Sequence, residues 1–399
     1  MTFNRLFQLS FVLAILSFAV SCAVNPVTGK SELSLLDETQ EVSLGTNQYG
    51  PTQQSQGGPY TRDRALTDYV QRIGNTLAKV SDRNLPYEFV VIDDSTPNAW
   101  ALPGGKIGIN RGLLVRLNSE AELAAVLSHE IVHAAARHSA KSIERGLFVE
   151  GVLSVAGAAL ESGNSSYSGV VQDGARLGSQ ILLQSYGREA ELESDAYGMV
   201  YMVRAGYDPE AAVTLQETFV ALSAGRSSDW VSGLFASHPP SEERVARNRD
   251  RAKRLNPEGQ TLSLGFEAYQ AALAPLSKQS KAYERLDQAN QRFRAEAMGE
   301  AKALAEQALE LAPSLPKAHS LLGDIAFKAK RWDAAIEHYS EAIKAGGTPG
   351  YFKDYLGRGI AQQSLKRWSE AEADLNESMA LLPTEAAKSA LAAIENSRR

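Results

Sequence analysis

A mainly α-helical chain with one small β-sheet, its C-terminal part wound into an α-solenoid, is the fold class this sequence predicts. Three observations predict it. Apolar residues recur at helical spacing in Leu66, Val70, Ile73 and Leu77, and again in Leu123, Leu127 and Ile131. Strand chemistry is confined to Tyr87 to Ile92 and to the short stretches flanking Pro103-Gly104-Gly105. From Tyr283 onward similar residues return at a fixed period, with Leu322 and Leu356 34 residues apart.

The 399 residues are enough for two or more domains, and the net charge of −6 shows no basic stripe. Nucleic-acid binding is therefore not expected, because the short run Arg244 to Arg254 is diluted by Asp250 and follows Glu242 and Glu243. Residues 1–22 read as a signal peptide: Arg5 precedes an apolar stretch too short and interrupted to span a bilayer. Cys22, the only cysteine, stands after Ala19-Val20-Ser21. A lone cysteine at this boundary resembles a bacterial lipoprotein. That implies lipidation of Cys22, and Ala23 in place of an Asp implies the inner face of the outer membrane, facing the periplasm. Ala19 stands where such signals usually carry Leu, so ordinary secretory cleavage stays open. The membrane would be met only through that anchor.

Residues 23–62 read as a tether and N-terminal segment, with turn chemistry in Asn25 to Lys30, a helix start at Ser34 to Leu44 and a loop at Gln53 to Pro59. Residues 63–255 carry the chemistry. Asn98 to Leu102, ahead of the Pro-Gly-Gly turn, or its partner strand is expected to line a cleft as an edge strand that could hold an extended peptide, the alternative being a plain structural hairpin.

Ser119 and Glu122 signal a helix start. The helix then carries His129-Glu130-Ile131-Val132-His133, an HExxH motif. Residues four apart share a helical face, so both histidines can address one ion, with Glu130 beside them as a base for a water. Zn²⁺ with this set suits hydrolysis, since the ion lowers the water's pKa and the carboxylate takes the proton. A third ligand is needed. His138 is rejected because, at about 100° per residue, it points off the face. Ala136 and Ser139 stand where a longer HExxHxxGxxH pattern needs Gly and His. Arg188 to Asp195 supplies Glu191 and Asp195 four apart: Glu191 as ligand, Asp195 accepting an N–H from a ligand histidine. Glu193, two residues on, faces away. The plain alternative is a solvated acidic face.

HEIVHAAARHS followed by YGREAELESDAYG, with the NAWALPGG stretch upstream, resembles the metallopeptidase family that includes the CAAX prenyl proteases and the Oma-type enzymes. The resemblance implies a gluzincin-like zinc endopeptidase with one Zn²⁺ per chain. It implies His129, His133 and Glu191 as ligands, Glu130 as base and Asp195 as support. It also places a His-Pro element, here His238-Pro239, near the metal, where His238 either stabilises an oxyanion or fills the open position as a switch. Tyr186 and Arg188 follow as further oxyanion candidates. Gly146 to Gln184, full of small residues, is either a mobile lid or a helical hairpin with a flexible tip.

Residues 256–280 read as a linker and 281–399 as tetratricopeptide-like repeats, about three, closed by a cap from Thr384. Trp332 and Trp368 are 36 residues apart, so the third unit is expected to hold two extra residues in its inter-helix turn. His319 and His338 lie there and read as structural. Two functions remain open. One is a periplasmic zinc endopeptidase that degrades misfolded or misassembled outer-membrane proteins. Its repeats would bind substrate or the β-barrel assembly machinery, as the resemblance to bacterial members implies. The other is a periplasmic chaperone or scaffold with a latched or vestigial site.

Overall fold

The computed structural model describes residues 21–145, 186–224, 231–256, 258, 259 and 261–398. The expectations for residues 1–20 and for Gly146 to Gln184 lie outside them. Among the described residues the chain is mainly helical with a small sheet, as the sequence predicts, and no helix is long and apolar enough to cross a membrane.

The N-terminal segment is built into the fold. Strands β1 (Ser21–Val24) and β2 (Ser31–Ser34) pair antiparallel across a turn in which Asn25 Oδ1 accepts the Val27 and Thr28 N–H groups. Asp37 then caps α1 (Glu38–Ser55) through a full capping box with Gln40. Gln53 to Ser55, expected as loop, belongs to this helix. Its last turn is held from afar: Gln54 donates to the Gly350 carbonyl (2.8 Å) and accepts from Phe352 N–H (2.9 Å). Glu41, fully buried on α1, binds Arg83 (2.9 Å) and Arg137 (3.0 Å), which fastens this helix beside the HExxH segment.

Asp63 caps α2 (Arg64–Ala78), whose Leu66, Val70, Ile73 and Leu77 are buried as the period predicts. It packs on a three-stranded sheet in the order β3-β5-β4. β3 (Glu88–Ile92) runs parallel to β5 (Lys106–Asn110), and β4 (Ala99–Leu102) antiparallel to it. Gly104 and Gly105 take φ of +71° and +83° in the connecting turn, which side chains resist. After the short α3 (Arg111–Leu114), Ser119 caps α4 (Glu120–Ala135). The Glu122 carboxylate reaches Asn118 N–H (2.6 Å), one residue outside the usual capping box. Leu123, Leu127 and Ile131 are fully buried under α4.

Helix α5 (Arg188–Arg204) lies along α4. At Gly198 a Cβ would sit 3.1 Å from Ser128 Oγ and 3.2 Å from His129 N, so a glycine lets the two helices close. Helices α6 (Glu210–Ala224), α7 (Val231–Ser237) and α8 (Glu242–Leu255) complete the layer. The expected linker at 256–280 contains a helix instead, α9 (Phe266–Ser277). Tyr269, Leu273 and Leu276, at helical spacing, are buried against α2 and α4, and Tyr269 OH donates to Leu114 O (2.6 Å). The Pro and Gln around them hid that period.

Three hairpins follow: α10 (Ser280–Arg294) with α11 (Met298–Leu311), α12 (Pro316–Lys328) with α13 (Trp332–Gly346), and α14 (Phe352–Ser364) with α15 (Trp368–Leu381). Helix α16 (Glu385–Arg398) closes the stack. The two extra residues are not in the third unit's inter-helix turn. The second and third hairpins turn alike, each on a left-handed lysine, Lys330 and Lys366. Gly323 meets Tyr339 where Gly359 meets Leu375, so the partner of Gly323 is Gly359 rather than Gly357. The extra length therefore lies between α13 and α14. That connection rests on the N-terminal segment, with Thr61 donating to Gly346 O and Gln54 bonded to Gly350 and Phe352.

Candidate metal centre

Helix α4 presents His129 and His133 on one face. Helix α5, drawn close at Gly198, presents Glu191 opposite, and the turn after α7 adds His238. One donor atom from each of these four lies within 4.8 Å of the others. His133 Nε2 is 3.3 Å and His129 Nε2 3.5 Å from the Glu191 carboxylate, and the two Nε2 atoms are 3.0 Å apart. His238 Nδ1 stands 3.0 Å from Glu191 Oε1 and 3.3 Å from His129 Nε2. Three nitrogens and a carboxylate, crowded without hydrogens to share among all of them, fit a divalent metal ion.

The surroundings set the tautomers. Asp195 Oδ1 lies 2.9 Å from His129 Nδ1 and takes its N–H, which leaves Nε2 free. His133 is oriented through His138, whose Nδ1 is 3.0 Å from His133 Nδ1 and whose Nε2 is 3.2 Å from Glu193. His138 donates to Glu193, His133 donates to His138, and His133 Nε2 also stays free. His138 is thus no member of the donor set, but it does not point away either. Arg137 adopts φ +63°, the helix stops at Ala135, and the chain folds His138 back against His133. Tyr186 stacks on His133 (3.8 Å) and shares a hydrogen bond with Ser139 (2.8 Å). Arg188 is drawn off to Glu243 on the surface, so it does not face the site.

Arg244 is the residue the sequence reading missed. It is buried, binds both Asp195 oxygens (2.7 Å each), donates to Pro239 O (3.1 Å) and stands 2.8 Å from Glu191 Oε2. Glu130 is buried beside the donors, 3.5 Å from His238 Nε2, with its Oε2 unpartnered. Strand β4 is at one edge of the three-stranded sheet. All four of its residues are buried, and the Ala101 carbonyl accepts from Ser139 Oγ (2.8 Å).

Burial raises the Glu130 carboxyl above its usual range, which suits a group that must pick up a proton and pass it on. Burial holds His133 well below its ordinary value, hence neutral. For His129 burial acts the same way, but the Glu191 and Asp195 carboxylates outweigh it and push it up to about 10. Burial would raise Glu191, yet His238 and His129 hold it well below the carboxylate range. Burial would likewise raise Asp195, yet Arg244 draws it down to about 2. The carboxylates that favour a proton on His129 make an ion compete with that proton, so metal affinity is expected to rise with pH between 6 and 8. Chelator competition across that range measures it, and a flat profile would mean that His129 is already neutral in the metal-free protein.

A helix-borne HExxH pair with a glutamate from a second helix defines the class of HExxH metallopeptidases. Within that class, residues 64–252 match the model of Peptidase family M48, and this stretch is a Peptidase family M48 domain. Relatives include the beta-barrel assembly-enhancing protease of Escherichia coli (strain K12), 29% identical over 250 residues, 60% of this chain and 50% of that protein. The mitochondrial metalloendopeptidase OMA1 of Schizosaccharomyces pombe is 36% identical over 183 residues, 45% of this chain and 51% of that protein. The chain thus spans about half the length of these curated relatives. Among solved structures, the Arabidopsis OM64 TPR domain is 20% identical, covering 30% of this chain and 98% of that one, at a TM-score of 0.29.

Proposed function

We propose that the protein is a zinc-dependent endopeptidase acting on misfolded or misassembled outer-membrane proteins in the periplasm. Its repeats would bind substrate or the β-barrel assembly machinery, and Cys22 would anchor it to the outer membrane. The observation that carries the catalytic part is the juxtaposition of His129, His133 and Glu191 with an unpartnered oxygen of buried Glu130. The outer-membrane role rests on the name of the Escherichia coli relative and on the signal-like N-terminus. On this reading the peptidase domain is 63–255 and the repeat domain 281–399, and α9 lies in the 256–280 segment between them.

His129, His133 and Glu191 would hold the ion. Bound Zn²⁺ supplies the Lewis acidity that lowers a water's pKa and polarises a peptide carbonyl. Glu130 takes the water's proton on Oε2 and delivers it to the leaving amine. Asp195 keeps His129 in the Nδ1–H tautomer, and Arg244 keeps Asp195 ionised and in place. His138 and Glu193 do the same for His133.

His238 supplies a fourth donor. Catalytic zinc keeps one position open, whereas four protein ligands close a site. The conformation with His238 against Glu191 is accordingly read as latched. If the latch holds about nine-tenths of molecules closed, His238→Ala should speed cleavage about tenfold. Slower cleavage would place His238 on the substrate side of the reaction. The same four-donor set favours the second reading, a chaperone or scaffold with a latched site. The deciding experiment is cleavage of casein and an unfolded porin by the wild-type protein and His238→Ala, with metal content measured on both. One ion per chain and no cleavage by either would give the scaffold reading the lead.

A further inference from the structure

Beside Glu130 lies a pocket that the chemistry above does not use. It runs between α4, α5, α6 and α8 and opens to solvent. His129, Glu130 and His238 stand at its edge. Val126, Met199, Leu215, Phe219 and Leu234, each more than nine-tenths buried, give it an apolar wall, and Ser128, Ser194, Asp195, Arg244 and Asn248 line it as well. Of its two amides one lacks a partner. Gln216 lines the same pocket at 7% exposure, and its Oε1 is buried without a hydrogen-bond partner. Buried polar atoms are nearly always paired, so this one asks for a donor from outside the chain.

We infer that the pocket receives a tyrosine side chain of the substrate, from the residue just after the cut bond, and that Gln216 reads its hydroxyl. The inference rests on the peptidase reading. The position follows from Glu130. It passes a proton to the leaving amine, which belongs to the residue after the cut, so that residue's side chain is the one beside Glu130. The ring follows from the walls, since a phenylalanine and methionines favour an aromatic guest. The hydroxyl follows from Gln216. A phenol O–H donates to the unpaired oxygen, whereas a phenyl ring leaves it unpaired. A site built to bind a hydroxyl also rejects the analogue lacking it.

Binding tests this apart from cleavage. The purified protein is titrated with L-tyrosinamide and with L-phenylalaninamide by calorimetry. Tyrosinamide is expected to bind about tenfold tighter or more. Gln216→Leu should erase the difference, Gln216→Glu should keep it by retaining an acceptor, and Ala212→Phe should fill the pocket and weaken both ligands. Equal binding by wild type, or a preference that survives Gln216→Leu, overturns the assignment. A peptide pool read by mass spectrometry forms the second arm, with cuts before Tyr expected to outnumber cuts before Phe. Tyrosinamide binding that depends on Gln216, without any cleavage, keeps the pocket and sinks the peptidase reading. Cleavage with no Tyr bias keeps the peptidase reading and sinks the pocket.

Discussion

Glu130→Gln is expected to lose peptidase activity by about 10²–10⁴-fold while keeping its ion. The amide has the carboxylate's shape but cannot take a proton from water. Glu130 is not one of the four clustered donors, and its carboxylate stands 3.5 Å from His238 Nε2. Metal content should therefore stay at one per chain. Stability should not fall either, because burial already opposes the charge on Glu130 and a neutral amide removes that penalty. Three measurements on one variant thus separate three roles. Cleavage within tenfold of wild type would take Glu130 out of the proton transfer. Loss of the ion would make it a ligand. A large drop in melting temperature would make it a structural residue whose activity loss says nothing about chemistry.

The parts of this site that the sequence discloses are those fixed within one or two helical turns. His129 with His133, and Glu191 with Asp195, are each four apart, and a helix puts such pairs on one face whatever surrounds it. That α4 and α5 meet face to face is settled at Gly198, which has no local signature. His138 shows where extrapolation stops: a constant turn per residue fails once Arg137 leaves the helical region. In the repeats, Leu356-Gly357 copies Leu322-Gly323 in letters. Packing against Leu375 instead selects Gly359, because the preceding connection is longer. Arg244 was hidden most completely. It opens a run of basic residues that reads as a solvated helix face, and its burial depends on Ser241 starting α8 at a point that aims the first turn at α5.

That hidden residue carries the second large effect. Arg244→Leu is expected to destabilise the protein by about 3–5 kcal/mol, the range for removing one partner of a buried ion pair. Metal affinity should fall about 10–100-fold, as when the group orienting a ligand is lost. The guanidinium is 4% exposed and gives two parallel N–H bonds to Asp195 while standing beside Glu191. Without it two carboxylates share a dry site with no fixed cation, and Asp195 no longer holds the His129 N–H at full charge. Arg244→Lys should recover little, since one ammonium cannot reproduce the fork. The sign of the pH dependence follows from Asp195, whose carboxyl Arg244 and His129 hold near 2 instead of 3.8. Its stabilisation is present above the unfolded value and is lost as pH falls through the folded one. The gap between wild type and Arg244→Leu should therefore be widest near pH 7 and narrow toward pH 3, where the variant's Asp195 is protonated and no longer needs a partner. A double change with Asp195→Asn should cost less than the two single changes summed, because the two side chains act as one unit. Strict additivity in that cycle, with ion affinity unchanged in Arg244→Leu, would mean that Arg244 packs the helix and does not tune the metal centre.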